Sequence, residues 1–320
     1  MIVIRLQGGL GNQLFQYALY LQLKHTGYDV RIDTVSGFAE DPQRSEALSS
    51  LFGVSYDIAD DRDIRRLRDS FMDPIHRIRR KLFGRRNLEW VEPDGQYYPE
   101  VLSRDEVYYD GYFQSEQYFP EEVVREQLVR EFSEEALSVR GFWKSTAADF
   151  AAKMDADGEC SVSLHIRRGD YLLPQQTITH GGICTEAYYR HALAEMEEAV
   201  PGASYYLFGD DKAFCHAFAE QFARGELGIP AGKQMTVVEL PEGGGQDASE
   251  LLLMSHCRNH ILANSSFSWW GAWLGNRRAA RSSETDGQGV TYAPDRWFNN
   301  RRADALYTED MRRVVLRAED

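Results

Sequence analysis

The chain has little of what marks several protein classes. No apolar run approaches the roughly 18 residues of a membrane span, and Met1 to Leu6 lacks the charged start and long apolar stretch of a signal peptide. Its four cysteines, Cys160, Cys184, Cys215 and Cys257, form no C-x-x-C pair, which argues against a zinc knuckle or a disulfide framework and for free thiols in a reducing, cytoplasmic setting. Basic residues are the minority: 36 Lys and Arg against 50 Asp and Glu give a formal charge of −14, so nucleic acid is not an expected partner. What is present, 320 residues at 43% hydrophobic, is enough for two compact domains.

The pattern along the chain is α/β. Ile2 to Leu6 is a β-branched run that meets Gly8-Gly9-Leu10-Gly11, followed by an apolar-periodic stretch from Leu14 to Leu23 and a second strand, Tyr28 to Asp33. That order is a βαβ unit, which requires parallel strands. After a polar turn at Asp155 to Gly158, strands are expected at Ser161–Ile166, Ser204–Phe208, Thr236–Leu240 and His260–Ala263, with helices at Thr185–Val200, Ala213–Ala223, Ala248–Cys257 and Phe267–Leu274. A Gly-rich loop runs from Glu242 to Gln246, and a polar loop is expected from Arg277 to Gly289. Two α/β halves, 1–150 and 151–320, joined between Val139 and Asp157, would place a cleft at the carboxyl ends of their strands. The chain end is a candidate to pack back on the first half.

One stretch departs from the acidic background. Arg62 to Arg86 holds ten Lys or Arg against three Asp, with Ile64, Leu67, Phe71, Ile75, Ile78 and Leu82 at helical spacing and Pro74 as a break. The plain reading is a helix packed by one face and solvated on the other. The sharper one is a peripheral dock for an anionic lipid surface or a lipid-linked acceptor.

Three places carry chemistry. The glycine turn partly matches a dinucleotide fingerprint, with Asp33 at the ribose-binding distance, but Leu14 stands at the third glycine position and Asn12 and Gln13 place amides where the helix begins. In His165-Ile166-Arg167-Arg168-Gly169-Asp170-Tyr171, arginines follow a strand and so face a ligand crevice. Strand alternation sends Arg167 and Arg168 to opposite sides, leaving one for a pocket and one for a carboxylate. In Ala263-Asn264-Ser265-Ser266-Phe267-Ser268 a strand passes into a helix whose first N–H groups can receive phosphate, although Ser265 or Ser266 can also act simply as a cap. Trp269, Trp270 and Trp273 suit core packing better than a sugar platform. No metal site is expected: Asp155-Ala156-Asp157 precedes a strand and reads as a turn, and His256 and His260 lack the intervening Glu of a zinc protease.

The run from Gly8 to Ala18, the H-x-R-R-G-D-Y run from His165, Tyr206-Leu207-Phe208-Gly209-Asp210-Asp211, and the stretch from Ala263 to Leu274 together resemble the four ordered motifs of the α-1,2-fucosyltransferase family, glycosyltransferase family 11, of bacterial type. The resemblance spans residues 1 to about 300 and implies two Rossmann-like domains facing a cleft, a GT-B-like architecture. It implies fucose transfer with inversion from GDP-fucose to a galactose-terminated oligosaccharide or lipid-linked glycan, with no metal or other cofactor. The first domain would take the acceptor, with Gly9, Gly11, Asn12 and Gln13 in its cleft loop, and the second the donor. Arg167 would hold the donor β-phosphate with His165 and Asp170 beside it, Ser265, Ser266 and Ser268 would make the second phosphate contact, and Asn264 and Phe267 would also bind the donor. Asp170 and Glu186 are the candidate general bases. The chain departs from the pattern at Glu250, where the family usually has aspartate, so either Asp247 or Glu250 would accept the two N–H groups of guanine. Gly209 stands where serine is common, a change expected to matter little. The competing readings are an α-1,3 linkage, a nicotinamide-dependent oxidoreductase built on Gly8 to Asp33, and a sugar-nucleotide-binding protein without turnover.

Overall fold

The computed structural model describes residues 1–68, 74–84, 88–281 and 289–316, and the side chains of 74–76 and 279–281 are not described. Phe71, Arg85 and Arg86 of the basic stretch therefore lie outside the described residues. The chain divides into two compact units, Met1–Glu131 with Asp304–Leu306, and Phe132–Ala303 with Tyr307–Asp320.

The first unit is a four-stranded, wholly parallel sheet in the order β2-β1-β4-β3, made of β1 (Ile2–Arg5), β2 (Val30–Asp33), β3 (Glu89–Val91) and β4 (Val107–Asp110). Its helices are α1 (Leu10–His25), α2 (Ser36–Glu40), α3 (Asp61–Leu67), α4 (Pro74–Phe83) and α5 (Glu122–Glu131). β1 is central and buried throughout, as a near-continuous apolar run in a parallel sheet requires. α1 starts at the N-cap Gly9, directly after Gly8 at φ +77°, where a Cβ would also come within 2.7 Å of the Asn12 amide. α3 packs Ile64 and Leu67 against Val3 and Tyr108. Pro74 opens α4 rather than interrupting a helix, in keeping with its missing N–H.

The second unit begins with α6 (Glu134–Val139) and α7 (Ser145–Asp157), then winds β5 (Ser161–Ile166), α8 (Pro174–His180), α9 (Glu186–Ala199), β6 (Ser204–Gly209), α10 (Lys212–Ala223), β7 (Met235–Val237), α11 (Gln246–Met254), β8 (Asn259–Ile261), α12 (Ser266–Arg281), β9 (Thr291–Pro294) and β10 (Met311–Val314). All six strands are parallel, in the order β10-β9-β8-β5-β6-β7. Alternation along β6 sends Tyr205 and Leu207 to the face covered by α9 and α10, and Tyr206 and Phe208 to the face covered by α7 and α11. Trp269 and Trp270 are fully buried in α12, where Gly271 lets the helix approach Met254 of α11. The α/β expectation with two parallel sheets holds in both units.

Two local expectations change. Asp155 to Asp157 is the last turn of α7, not a free turn, because Ala147, Ala151 and Met154 form a buried stripe on that helix and Gly158 ends it at φ +52°. α12 runs past Leu274 to Arg281. Arg278, read as loop, pairs with Glu134 at 2.8 Å, and Asn276 just before that stretch bonds Asp310.

Candidate active site

β5 is the first strand of the second sheet, and the winding goes from it to β6 and β7 on one side and to β8, β9 and β10 on the other. The loops leaving β5 and β8 therefore diverge, and the crevice they leave at the carboxyl ends is where open α/β sheets bind ligands. The motifs at His165 and at Asn264 leave these two neighbouring strands.

His165 lies on β5 opposite the face of Leu164 and Ile166, with its ring 5.7 Å from that of Phe267 at the start of α12. It is buried, and its Nδ1 finds no partner among the described residues. Burial first, then the neighbouring charges of Arg167 and Lys212, push it down to about 3, so the imidazole is neutral near pH 7. It can offer a hydrogen bond to a ligand, not a charge.

Arg167 directs its guanidinium into a carboxylate fork. Nη2 is 2.7 Å from Asp170 and Nη1 2.9 Å from Asp210, and the group lies 5.6 Å over the Tyr171 ring. Burial opposes its charge, but Asp210 and Asp170 outweigh that and hold it protonated. Arg168 turns to Asp211 at 3.3 Å and sits 3.9 Å over Phe214, while its backbone N–H donates to Asp210. Both arginines lie just past the end of β5, outside its alternation, and both reach the acidic pair after β6. The pairing reserved for one of them is made by both.

Tyr171 closes the gap between the loops. Its hydroxyl donates to the Asn264 carbonyl at 2.9 Å, and its ring stacks on His180 at 4.5 Å. The Asn264 amide donates to the carbonyls of His180 and Trp297, and its oxygen accepts from Cys184, so this side chain ties loops together. Ser265 caps α12 by accepting from the Phe267 N–H at 3.3 Å, and Ser268 donates back to the Ala263 and Ser265 carbonyls. Ser266 is half-buried in the first turn. Glu250 is buried and accepts from Lys212 at 3.1 Å and Gln246 at 3.2 Å, with burial raising its pKa. Asp247 is exposed in the first turn of α11. Glu186 is exposed and pairs with Arg190 on its own helix at 2.9 Å, outside the Arg167 network.

The motifs carry Asp210 without marking it as a partner of Arg167, and nothing in the sequence pattern marks Tyr171, His180 or Lys212. The available signal was an acidic pair directly after a strand next to β5. Gly209 is also more constrained than expected, since a Cβ there would meet Cys215 Sγ at 2.6 Å and the Ile166 carbonyl at 2.9 Å.

In the first unit the cleft-loop amides hold the loop itself. Gln13 donates to the Gly8 and Ser45 carbonyls and accepts from the Ala47 N–H, while Asn12 accepts from Gln114 at 2.8 Å. Gly9 is the N-cap and Gly11 lies in the first turn of α1. Beyond β4, buried Phe113 takes φ +54°, costly for a bulky residue, with Glu92 accepting its N–H and that of Tyr112. The dinucleotide alternative fails on geometry. Asp33 is fully buried, bonded to Tyr108 and to the N–H groups of Val35 and Ser36, and Leu14 fills the helix–sheet interface.

The residues weighed for metal binding serve the fold. Asp157 accepts from Tyr206, Asp155 and Glu134 flank the two ring nitrogens of His256, and His260 Nδ1 meets Ser163 at 2.8 Å. Among the described residues no three His, Cys, Asp or Glu side chains gather as a metal site.

Neutral imidazole, an arginine fork and a serine-capped helix start gather at the switch point of a parallel sheet, groups suited to an anionic ligand. The model of Glycosyl transferase family 11 matches residues 1–281, and the chain belongs to that family. An alpha-1,2-colitosyltransferase of Escherichia coli is 29% identical over 93% of this chain and 92% of its own length. The O-antigen biosynthesis glycosyltransferase WbnK of Escherichia coli is 27% identical over 92% and 93%. The galactoside 2-alpha-L-fucosyltransferase SEC1 of Bos taurus is 22% identical over 85% of this chain and 63% of its own. Among solved structures, fucosyltransferase NodZ from Bradyrhizobium aligns with a TM-score of 0.40 at 16% identity, covering 86% of this chain and 93% of that one.

Proposed function

We propose that this glycosyltransferase moves L-fucose from GDP-fucose to a galactose-type hydroxyl in α-1,2 linkage, with inversion and without a metal requirement. The observation that carries the reading is Arg167, a charged, largely buried guanidinium at the switch point beside the unpartnered His165 ring. Transfer separates an oxocarbenium-like sugar from a pyrophosphate that gains negative charge, so donors fixed at the leaving group lower the barrier. Asp170 and Asp210 orient the fork and leave its other N–H groups for phosphate oxygens. The α12 start adds the positive end of a helix. The first unit, whose loop is lined by amides, takes the uncharged acceptor. Asp247 is the better reader of guanine, because Glu250 is already engaged by Lys212 and Gln246.

The second reading keeps the linkage and changes the sugar to colitose, as the name of the 29%-identical relative suggests. Incubation with activated fucose or colitose and a panel of β-galactosides, with and without EDTA, separates them. The expected product is α-1,2-fucosylated and forms equally in EDTA. Transfer of colitose alone would select the second reading, and an α-1,3 product would overturn both linkages. Activity lost in EDTA and restored by manganese would overturn the metal-free mechanism, and binding without turnover would leave a sugar-nucleotide-binding protein.

A further inference from the structure

The basic stretch divides into two helices that treat their apolar residues in opposite ways. α3 buries Ile64 and Leu67 in the core of the first unit. The apolar side chains of α4 that are described are not buried: Ile78 is 59% exposed, Leu82 68% and Phe83 80%. The reading of a helix packed by one face therefore holds for α3, whereas the apolar residues described on α4 are left open. On α4 Arg77, Ile78, Lys81, Leu82 and Phe83 face solvent, whereas Arg79 and Arg80 are half-buried. Arg77 and Lys81 are one turn apart, as are Ile78 and Leu82, so a cationic row runs beside an apolar row on one exposed face. Phe83, in the last turn, is exposed as well but lies off that row.

Exposed apolar side chains on a ten-residue helix normally need a partner. A cationic row flanking an apolar row matches a surface that is anionic outside and hydrocarbon beneath. Among the described residues no helix is long and apolar enough to cross a membrane, so contact would be from one side. The charge of the whole chain sharpens the choice. At −14 the protein is repelled by an anionic surface everywhere except where cations are concentrated, and the field would orient it with α4 foremost. We infer that α4 is a peripheral docking helix for an anionic lipid bilayer, held by Arg77 and Lys81 at the headgroups and by Ile78 and Leu82 below them. The inference stands apart from the identity of the sugar transferred.

Flotation of the full-length protein with vesicles tests it. Vesicles of phosphatidylcholine with about one third phosphatidylglycerol should capture the protein at low salt, those of phosphatidylcholine alone should not, and about 0.5 M NaCl should release it. Each cation near an anionic surface is worth roughly a 5-fold change in binding, so R77Q/K81Q should bind on the order of 25-fold more weakly. I78S/L82S should lose capture even at low salt. R224Q, an exposed arginine of the second unit, should bind as the parent does. Unchanged thermal melting of each variant certifies its fold. Failure of the parent to float with anionic vesicles, or equal capture of R77Q/K81Q, overturns the inference. So does concentration-dependent dimerisation abolished by the serine variant, which would give the face to a second copy of the chain.

Discussion

The two units are built on one plan and finish their central strands differently. β1 ends at Arg5, whose guanidinium is buried and neutralised by Asp110 at 2.8 Å and Glu40 at 2.6 Å, and is followed by Gln7, Gly8 and Gly9. β5 ends in a neutral, unpartnered histidine and an arginine that keeps part of its surface open. In the first unit the polar groups at the strand ends bond one another, through Gln7 to Asp110 and Gln16 to the Gly111 carbonyl. The second holds its charged group in a fork without covering it. A switch point satisfied by amides suits a ligand of hydroxyls. One with an accessible guanidinium suits a ligand of phosphates. The difference is one of side chains, because the strand order reverses beside the central strand in both sheets.

The sharpest break of that contrast is Arg167→Lys. Lysine keeps the charge but loses the planar fork that Asp170 and Asp210 orient, so its ammonium cannot make paired bonds to phosphate oxygens. The kcat should fall roughly 10²–10³-fold, the size expected for a preorganised stabiliser of developing charge. Arg168→Lys, which loosens the contact with Asp211 and Phe214, should act through stability and leave kcat within a few-fold. Steady-state kinetics of both variants decide the matter. A fully active Arg167→Lys beside an inactive, folded Arg168→Lys would reverse the assignment of the two faces.

Acid should separate the units next. His165 and His260 are both pushed down to about 3, chiefly by burial, with Arg167 and Arg258 respectively adding to it, and half-buried His180 to about 4, by burial and then Arg301. The unfolded chain takes up those protons near pH 6.5 and the folded chain does not, so stability is full above that pH and falls as pH drops toward 3 to 4. Each fully buried histidine costs about 1.4 kcal/mol per pH unit in that window. His256 acts the other way: its pKa is raised despite burial, by Asp155 and Glu134, so its contribution is present below 6.5 and fades as pH rises through its folded value. The first unit has His25, which is exposed, and His76, whose side chain is not described. The second unit should therefore melt first on acidification, followed through its tryptophans, all but Trp90 of the six. His260→Gln should flatten the slope by about 1.4 kcal/mol per pH unit. An unchanged slope, or earlier loss of structure around Trp90, would contradict this.

How much of the contrast the sequence carried depends on signal strength. β5 and β6 alternate or run apolar with large side chains, and Thr185 and Asp211 cap the helices that flank β6, so that region was legible. α7 was not, since its buried stripe is two alanines and a methionine, small residues that barely register against its polar ones. β9 ends in Pro294, and β10 carries Arg312 and Arg313 on the sheet edge, both weak strand signals. The arginine and serine motifs were legible as motifs. Their wiring was not, because Asp210, the partner of Arg167 just after β6, lies 43 positions away and pairing is decided by strand order. Gly209 shows the limit of reading by resemblance: a substitution expected to be neutral sits where β6 touches the Ile166 carbonyl and Cys215. Gly209→Ser should cost about 1–3 kcal/mol by overpacking. Chemical denaturation measures it, and adding Cys215→Ala should recover part of the loss if the sulfur is the obstacle.

The smallest expected effect tests whether the α12 start serves the fold, the ligand or both. Ser265 accepts from the Phe267 N–H, so Ser265→Ala removes a cap and should lower stability by about 1 kcal/mol whatever binds nearby. If capping is the whole role, the KM for donor stays as it was. If the helix start also receives phosphate, the uncapped N–H fluctuates and the KM should rise a few-fold while kcat follows Arg167 and stays near the parent value. Ser265→Asp sharpens the split, because aspartate caps as well as serine but brings a negative charge to the place proposed for phosphate. Stability should return in that variant and donor affinity should fall further, by about 10-fold or more for a like charge in a partly buried site. Restored stability with undiminished donor affinity would show that phosphate does not approach this helix, and would leave Arg167 as the main counter-charge of the second unit.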